Sequence, residues 1–123
     1  MPQLSFRLLS YLFLLAVALQ FFFAGLGVMG GESFDMHETW GFTVLHLIPL
    51  LMFGAAIWAK MGRVTIMMVV VLFILVVVQS FFASESLDPE WLRSLHVLNA
   101  LIIFVLGYHI AQRSGPVPLP ART

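Results

Sequence analysis

Residues Val64 to Ala83 read VTIMMVVVLFILVVVQSFFA and contain no charged side chain. A helix needs about 20 mostly apolar residues to cross the hydrocarbon of a bilayer, so this stretch predicts a transmembrane helix. Three further stretches have the same character, and the sequence therefore predicts four such helices, over about 8–29, 36–59, 64–83 and 91–111. The first is expected to be a retained helix, because its apolar run is longer than the core of a signal peptide.

The composition of the whole chain is typical of an integral membrane protein. Hydrophobic residues make up 61% and charged residues 10% of the 123 residues, against about 45–50% and about 25% in soluble domains. A chain of this size has too little interior to bury so many apolar side chains. Six Lys plus Arg balance six Asp plus Glu, which excludes nucleic-acid binding through a basic surface. The absence of cysteine excludes disulfides, thiolate zinc sites and iron–sulfur clusters.

Basic and acidic residues lie mainly at opposite ends of the predicted helices, with Arg93 the one basic residue on the acidic side. The basic residues at one end are Arg7, Lys60, Arg63, Arg113 and Arg122, and the acidic residues at the other are Glu32, Asp35, Glu38, Glu85, Asp88 and Glu90. Positive charge marks the cytoplasmic side, so we predict a multi-pass protein of the bacterial inner (plasma) membrane with both termini in the cytoplasm. Residues 1–113 form the predicted transmembrane domain. Residues 114–123 form a Pro-rich cytoplasmic tail, predicted to be extended.

An internal repeat relates the two halves of the chain. Val17 to Gly25 reads VALQFFFAG and Val76 to Ser84 reads VVVQSFFAS, which places Gln20 and Gln79 at an offset of 59 residues. The repeat unit is a hairpin of two helices, so both copies point the same way through the membrane and are related by an approximate two-fold axis along its normal. The predicted fold is an all-α, integral membrane four-helix up-down bundle built from two repeated helical hairpins.

The same offset, continued without a gap, pairs two histidines. His37 on the second helix corresponds to His96 on the fourth, and the symmetry places both at one depth near the outer surface. Each is followed four positions later, on the same helical face, by a small residue, Gly41 or Ala100. Two imidazoles beside such a slot predict a flat ligand such as haem, whose iron takes one imidazole from each side. The alternative for each histidine is a hydrogen-bonding role at the headgroup level.

Three side-chain amides are predicted near the histidine pair, whereas the two other histidines are predicted away from it. Gln20, Gln79 and Asn99 have two available roles, an interhelical hydrogen bond of about 0.6 kcal/mol or contact with a cofactor edge, and the hydrogen bond is the favoured role of the glutamines. His46 lies nine residues after His37, which predicts the opposite helical face. His109 is predicted near the inner end of the fourth helix, and neither is expected to bind the haem.

Three segments resemble a known group of proteins. They are FDMHETWGF from Phe34 to Phe42, QSFFAS from Gln79 to Ser84, and LHVLNALIIF from Leu95 to Phe104. They resemble a family of small bacterial four-helix membrane proteins of unknown function, and the resemblance extends over nearly all of the predicted transmembrane domain. In that family the positions of His37 and His96 recur.

The layout is also similar to that of four-helix membrane cytochromes b and of one half of haem A synthase, in which histidines on the second and fourth helices hold haem. The resemblance implies haem b, with His37 and His96 as axial ligands of its iron. Phe34 stands where haem A synthase has a glutamate, and Glu38 stands where it has an arginine. The resemblance therefore favours haem binding over haem A synthase activity.

Three classes of function are compatible with these residues. The first is a b-type cytochrome-like protein that binds haem between the second and fourth helices for electron transfer, with a quinone, a larger membrane complex or a second copy of the chain as partner. The second is a cofactor-free structural or accessory subunit of a larger membrane complex. The third is copper handling by Met29, Met36 and His37 at the outer side. Hydrolytic or nucleophilic catalysis has no supporting motif.

Overall fold

The computed structural model describes residues 1–115, and these are helical apart from short connections. The four long helices and one short 3-10 helix are α1 (Pro2–Met29), α2 (Asp35–Trp58), α3 (Arg63–Phe82), a 3-10 helix (Glu90–Ser94) and α4 (Leu95–Arg113). The predicted all-helical fold with four long helices is confirmed. Of the predicted Pro-rich tail, residues 116–123 lie outside the described part of the chain.

The helix ends differ from the prediction at two places. α1 begins at Pro2 rather than near residue 8, because proline fits the first turn of a helix, where its missing N–H is not needed. α4 begins at Leu95 rather than near residue 91, because the preceding residues form the 3-10 helix, in which the Leu92 N–H donates to the Pro89 carbonyl over 3.0 Å. α1 ends at Met29, as predicted. Gly31, just beyond this end, has a φ of +69°, a conformation that favours glycine.

The four long helices form a bundle in which consecutive helices are neighbours. α1 packs on α2, α2 on α3, α3 on α4, and α4 back on α1. The connecting segments 30–34 and 59–62 are too short to return along a helix, so the helices that they join are antiparallel. α2 and α4 therefore lie diagonally across the bundle, and within residues 1–115 no Cα atom of one comes within 8 Å of a Cα atom of the other.

The core is densely packed in the half of the bundle that contains residue 1 and the end of α4, which we call the closed half. Its fully buried large side chains are Phe6, Phe13, Met52, Val69, Leu72 and Ile110. Phe13 lies against Gly107 of α4, where an added Cβ atom would be 3.0 Å from the Phe13 ring. The glycine thus allows α1 and α4 to approach closely. The other half, which we call the open half, contains a cavity.

The outside of the bundle is apolar. In the most apolar window of each long helix, only 17–33% of the residues are buried within the bundle. By length and composition, all four helices are able to cross a membrane. This agrees with the four predicted spans and supports a multi-pass membrane protein.

Candidate functional site

The open half contains a reciprocal pair of hydrogen bonds between α1 and α2. The Gln20 side-chain Nε2 donates to the His37 carbonyl over 2.9 Å, and the His37 Nδ1 lies 3.2 Å from the Gln20 carbonyl. Because a carbonyl oxygen only accepts, the proton of this imidazole is on Nδ1, and its Nε2 carries a lone pair that accepts a long hydrogen bond, 3.4 Å, from the Gln20 Nε2. We call this arrangement the first clasp.

The same arrangement joins α3 and α4. The Gln79 Nε2 donates to the His96 carbonyl over 2.9 Å, and the His96 Nδ1 donates to the Gln79 carbonyl over 3.1 Å. In each clasp the glutamine precedes the histidine by 17 residues. We call this pair the second clasp. The interhelical hydrogen bonds predicted for Gln20 and Gln79 are thus present, and each fixes the rotation of one histidine ring.

A third hydrogen bond of each hairpin also recurs at the offset of 59, although the side chain changes. The Trp40 Nε1 donates to the Ala16 carbonyl over 3.0 Å, and the Asn99 Nδ2 donates to the Leu75 carbonyl over 2.9 Å. An indole and an amide therefore serve equivalent backbone acceptors. The sequence indicated Asn99 but not Trp40, although Trp40 stands at its counterpart position.

The two clasps are unequal, because the first hairpin has a tryptophan, Trp40, where the second has an asparagine, Asn99. The Asn99 Nδ2 also donates to the Gln79 Oε1 over 2.7 Å, so the second glutamine has partners for both ends of its amide. A tryptophan has no second donor to offer. Within residues 1–115 the buried Gln20 Oε1 accordingly has no hydrogen-bond partner. The first clasp is therefore the less satisfied of the two.

The two histidine rings meet across the diagonal of the bundle. Their centroids are 6.1 Å apart, and their planes are inclined at 62°. Both rings are half-buried. The His96 Nε2 has no hydrogen-bond partner among the described residues, whereas the His37 Nε2 accepts a hydrogen bond of 3.4 Å from the Gln20 Nε2. The His96 lone pair is therefore available between α2 and α4, and that of His37 is engaged only by a long hydrogen bond.

A cavity of about 470 Å³ surrounds the histidine pair, within the range of about 300–1,000 Å³ that is usual for cofactor and ligand sites. Six of the seven predicted site residues line this cavity, while Asn99 supports it from behind through Gln79. The six are Gln20, His37, Gly41, Gln79, His96 and Ala100. Most of the remaining lining is apolar, including Val17, Val76 and Ile103.

Gly41 has a more specific role than the open slot that the sequence predicted. A Cβ atom at this position would lie 2.5 Å from the Gln20 Nε2. The missing side chain thus makes room for the amide of the first clasp. Ala100, its counterpart, carries a Cβ atom and also lines the cavity.

His46, predicted on the helical face opposite His37, lines the same cavity. The His46 side chain turns back along the helix, and its Nδ1 donates to the Gly41 carbonyl over 3.0 Å. Side chains of an α-helix lean toward its N-terminus, so a residue covers the turn before its own Cα atom. Its Nε2 lies 3.5 Å from the Ser80 hydroxyl of α3, a residue that the sequence did not single out.

Other residues considered from the sequence lie outside the cavity. His109 is exposed and contacts the Tyr108 ring with a centroid distance of 6.0 Å. Met29 and Met36 are 90% and 56% exposed and do not share the cavity that His37 lines. Within residues 1–115 no cluster of three or more His, Cys, Asp or Glu side chains is arranged to hold a metal ion.

The sequence pattern of a family of unknown function, DUF6220, matches residues 20–85. The chain belongs to this family. The match starts at the glutamine of the first clasp, includes His37 and Gly41, and ends after the glutamine of the second, so that α4 and His96 lie beyond it. Membership in an uncharacterised family agrees with the expectation from the sequence. No curated protein and no solved structure matches the chain.

Proposed function

We propose that the protein is a small membrane b-type cytochrome that holds one haem b between α2 and α4, with His37 and His96 as axial ligands of the iron. The observation that carries the proposal is the pairing of two imidazoles across the bundle, each with its Nδ1 proton bound to a backbone carbonyl. This second contact is the one that metal-ligating histidines usually make, because it fixes the tautomer and directs the Nε2 lone pair.

The spacing of the rings suits a shared ion. Two metal–imidazole bonds of about 2 Å each, with about 1 Å from each ligating nitrogen to its ring centre, separate the two centroids by about 6 Å. The observed separation of His37 and His96 is 6.1 Å.

The number of ligands favours a macrocycle over a bare ion. The site offers two imidazoles, and no third carboxylate or imidazole joins them in the described residues. Haem iron needs only two axial ligands from the protein, since the porphyrin supplies the other four. When bound, haem b supplies one-electron chemistry by cycling between the ferric and ferrous states.

The remaining lining residues act on the site in two ways. The two clasps hold the imidazoles in place, while apolar side chains such as Val17 and Ile103 limit the access of water. Glu38 also lines the cavity, where its negative charge would stabilise the ferric form of a bound haem. We expect a low-potential haem, and Glu38→Gln is expected to raise its midpoint potential in a spectroelectrochemical titration.

We further propose that the chain crosses the bacterial inner (plasma) membrane four times, with both termini in the cytoplasm, and that its two helical hairpins are copies of one unit. Basic residues near the start of α1, the α2–α3 connection and the end of α4 support the orientation. The recurrence of three hydrogen bonds at one offset supports the repeat. The layout resembles that of four-helix membrane cytochromes b.

The absorption spectrum of the purified protein, oxidised and then reduced with dithionite, tests the haem proposal. His37→Ala and His96→Ala are each expected to remove the low-spin spectrum, whereas His109→Ala, an exposed histidine outside the cavity, leaves it unchanged. Added imidazole is expected to restore the spectrum of His37→Gly, which separates loss of a ligand from loss of the fold. A protein that stays colourless when titrated with haem overturns the proposal.

A second candidate is a cofactor-free accessory subunit of a larger membrane complex. It is favoured by the fact that both clasps are closed and that the two histidine rings contact each other directly, with a centroid distance of 6.1 Å. In that case His37→Ala lowers only the stability of the bundle, by the value of an interhelical hydrogen bond, about 0.6 to 1.7 kcal/mol. Copurification of a stoichiometric partner with a haem-free chain would support this candidate.

A further inference from the structure

A second, smaller groove lies between α2 and α3. It has a volume of about 200 Å³, and every residue that lines it is apolar. The lining residues are Pro49, Leu50 and Phe53 of α2 and Val69, Val70 and Phe73 of α3. Within residues 1–115 it shares no lining residue with the cavity around the histidine pair. Leu50, Phe53 and Val70 are 51%, 38% and 40% exposed, so the groove is open toward the outside of the bundle.

Two exposed basic residues stand toward one end of this groove. Arg63 is the first residue of α3 and precedes Val70 by seven positions, which is about two turns, so the two residues lie on the same face of the helix. Along the helix axis they are about 10 Å apart. Lys60 follows the end of α2 and stands seven positions after Phe53. Each helix thus connects an apolar wall of the groove to one positive charge.

In the part of the chain that the structure describes, no carboxylate is placed to neutralise these two charges. The acidic residues nearest to them in the sequence are Glu38 and Glu85. Glu38 is in the first turn of α2 and Glu85 follows α3, so both lie at the opposite end of the bundle. The basic end therefore attracts an anion from outside the chain. A second copy in the same orientation would instead bring like charges to this surface.

The groove lies at the depth of the acyl chains of one leaflet. The hydrocarbon of a bilayer is about 30 Å thick, so each leaflet accounts for about 15 Å. Val70 and Phe73 lie about 10 Å and about 15 Å from Arg63 along α3. Trp58, the last residue of α2, is 63% exposed, and exposed tryptophans are typical of the interface between membrane and water. A lipid of this leaflet therefore has its headgroup at the basic residues and its hydrocarbon at the groove.

We propose that the groove between α2 and α3 binds one anionic glycerophospholipid, with its phosphate at Lys60 and Arg63 and one acyl chain along Phe53 and Phe73. The planar guanidinium of Arg63 matches the geometry of a phosphate, and the Lys60 ammonium adds a second positive charge. A zwitterionic lipid carries its own ammonium group, which offsets the attraction of its phosphate to these residues. The site is separate from the histidine pair, so it goes beyond the proposed function and does not depend on it.

Native mass spectrometry of the full chain tests the headgroup part of the inference. The chain is released from detergent micelles that contain phosphatidylglycerol or phosphatidylcholine with identical acyl chains. We expect one tightly bound phosphatidylglycerol per chain, with an affinity at least about tenfold above that of phosphatidylcholine. Arg63→Gln and Lys60→Gln should each lower the affinity for phosphatidylglycerol about fivefold. Arg113→Gln removes a positive charge from the same end of the bundle, but on α4, and should leave the affinity unchanged.

A matched pair of valines tests the acyl-chain part. Val70 lines the groove, whereas the adjacent Val71 does not, and the two are 40% and 45% exposed. Val70→Trp fills the groove and should lower the affinity for phosphatidylglycerol about fivefold through lost packing of the acyl chain. Val71→Trp adds the same bulk beside the groove and should not change it. Glycerol phosphate, which has the phosphate without an acyl chain, should not displace the bound lipid.

Several results would overturn the inference. Equal affinity for the two lipids, an equal loss in Arg63→Gln and Arg113→Gln, or equal effects of Val70→Trp and Val71→Trp would each do so. Displacement by glycerol phosphate would show a site for free anions instead of a lipid. A lipid-free dimer that Val70→Trp dissociates would show that a second copy of the chain covers the groove. The His37→Ala/His96→Ala double variant should keep the native lipid affinity, so failure of the haem proposal leaves this one standing.

Discussion

Gly41→Ala is expected to weaken the first clasp, and Gly54→Ala in the same helix provides the control. An added Cβ atom at Gly41 would lie 2.5 Å from the Gln20 Nε2, whereas one at Gly54 meets nothing within 4 Å. The Gln20 amide is the free end of a flexible side chain, so it will rotate away rather than force the helices apart. The rotation breaks its 2.9 Å hydrogen bond to the His37 carbonyl.

The magnitude follows from two terms. Replacing glycine by alanine inside a helix stabilises it by about 0.5–1 kcal/mol, and this term is common to both variants. The lost interhelical hydrogen bond costs about 0.6–1.7 kcal/mol and affects only Gly41→Ala. The free energy of unfolding of Gly41→Ala should therefore lie below that of Gly54→Ala by about 0.6–1.7 kcal/mol. Unfolding by SDS in mixed micelles, followed by far-UV circular dichroism, measures the difference. Equal unfolding free energies would show that the Gln20 amide does not occupy the space at Gly41.

Three further predictions concern the second clasp, the closed half and the orientation. Gln79→Ala should destabilise the bundle by about 1 kcal/mol more than Gln20→Ala, because it removes a hydrogen-bond partner of Asn99, whereas the Gln20 Oε1 has no partner to lose. The same SDS titration measures the order of the two variants, and the reverse order would contradict the assigned hydrogen bonds. Gly107→Leu should cost about 1–3 kcal/mol through overlap with Phe13, while Gly54→Leu should cost little; similar midpoints for both would refute the close contact. Cysteine introduced at Ser33 should react with an impermeant thiol reagent in intact cells, and cysteine at Ser114 should react only after the membrane is opened; reaction of both in intact cells would exclude the proposed orientation.

The sequence was sufficient to predict those features that depend on hydrophobicity and on the offset of 59. Apolar length located all four helices, and the offset brought attention to Gln20 with His37 and to Gln79 with His96. An interhelical hydrogen bond was expected for each glutamine, because a polar side chain in an apolar helix needs a partner on a neighbouring helix, but the sequence did not identify the histidines as those partners.

The position of His46 was not predictable from helical periodicity alone. Nine steps of 100° place its Cα atom opposite that of His37, but the ring leans toward the N-terminus and bonds to Gly41 instead. The cavity moreover extends along α2 far enough to reach both residues. Trp40 was missed for a different reason: the equivalence of an indole and an amide as donors becomes evident only when the acceptors, Ala16 and Leu75, are seen at the same offset.

The diagonal placement of the two histidines has a consequence for biosynthesis. His37 is on α2 and His96 is on α4, so the two walls of the site are separated in synthesis by the whole of α3. The α1–α2 hairpin contains both partners of its own clasp, whereas α4 is the last of the four helices to be synthesised. A site between the rings comes into existence only when α4 joins the bundle. Any molecule held by both rings must therefore be acquired after the fourth helix has been inserted.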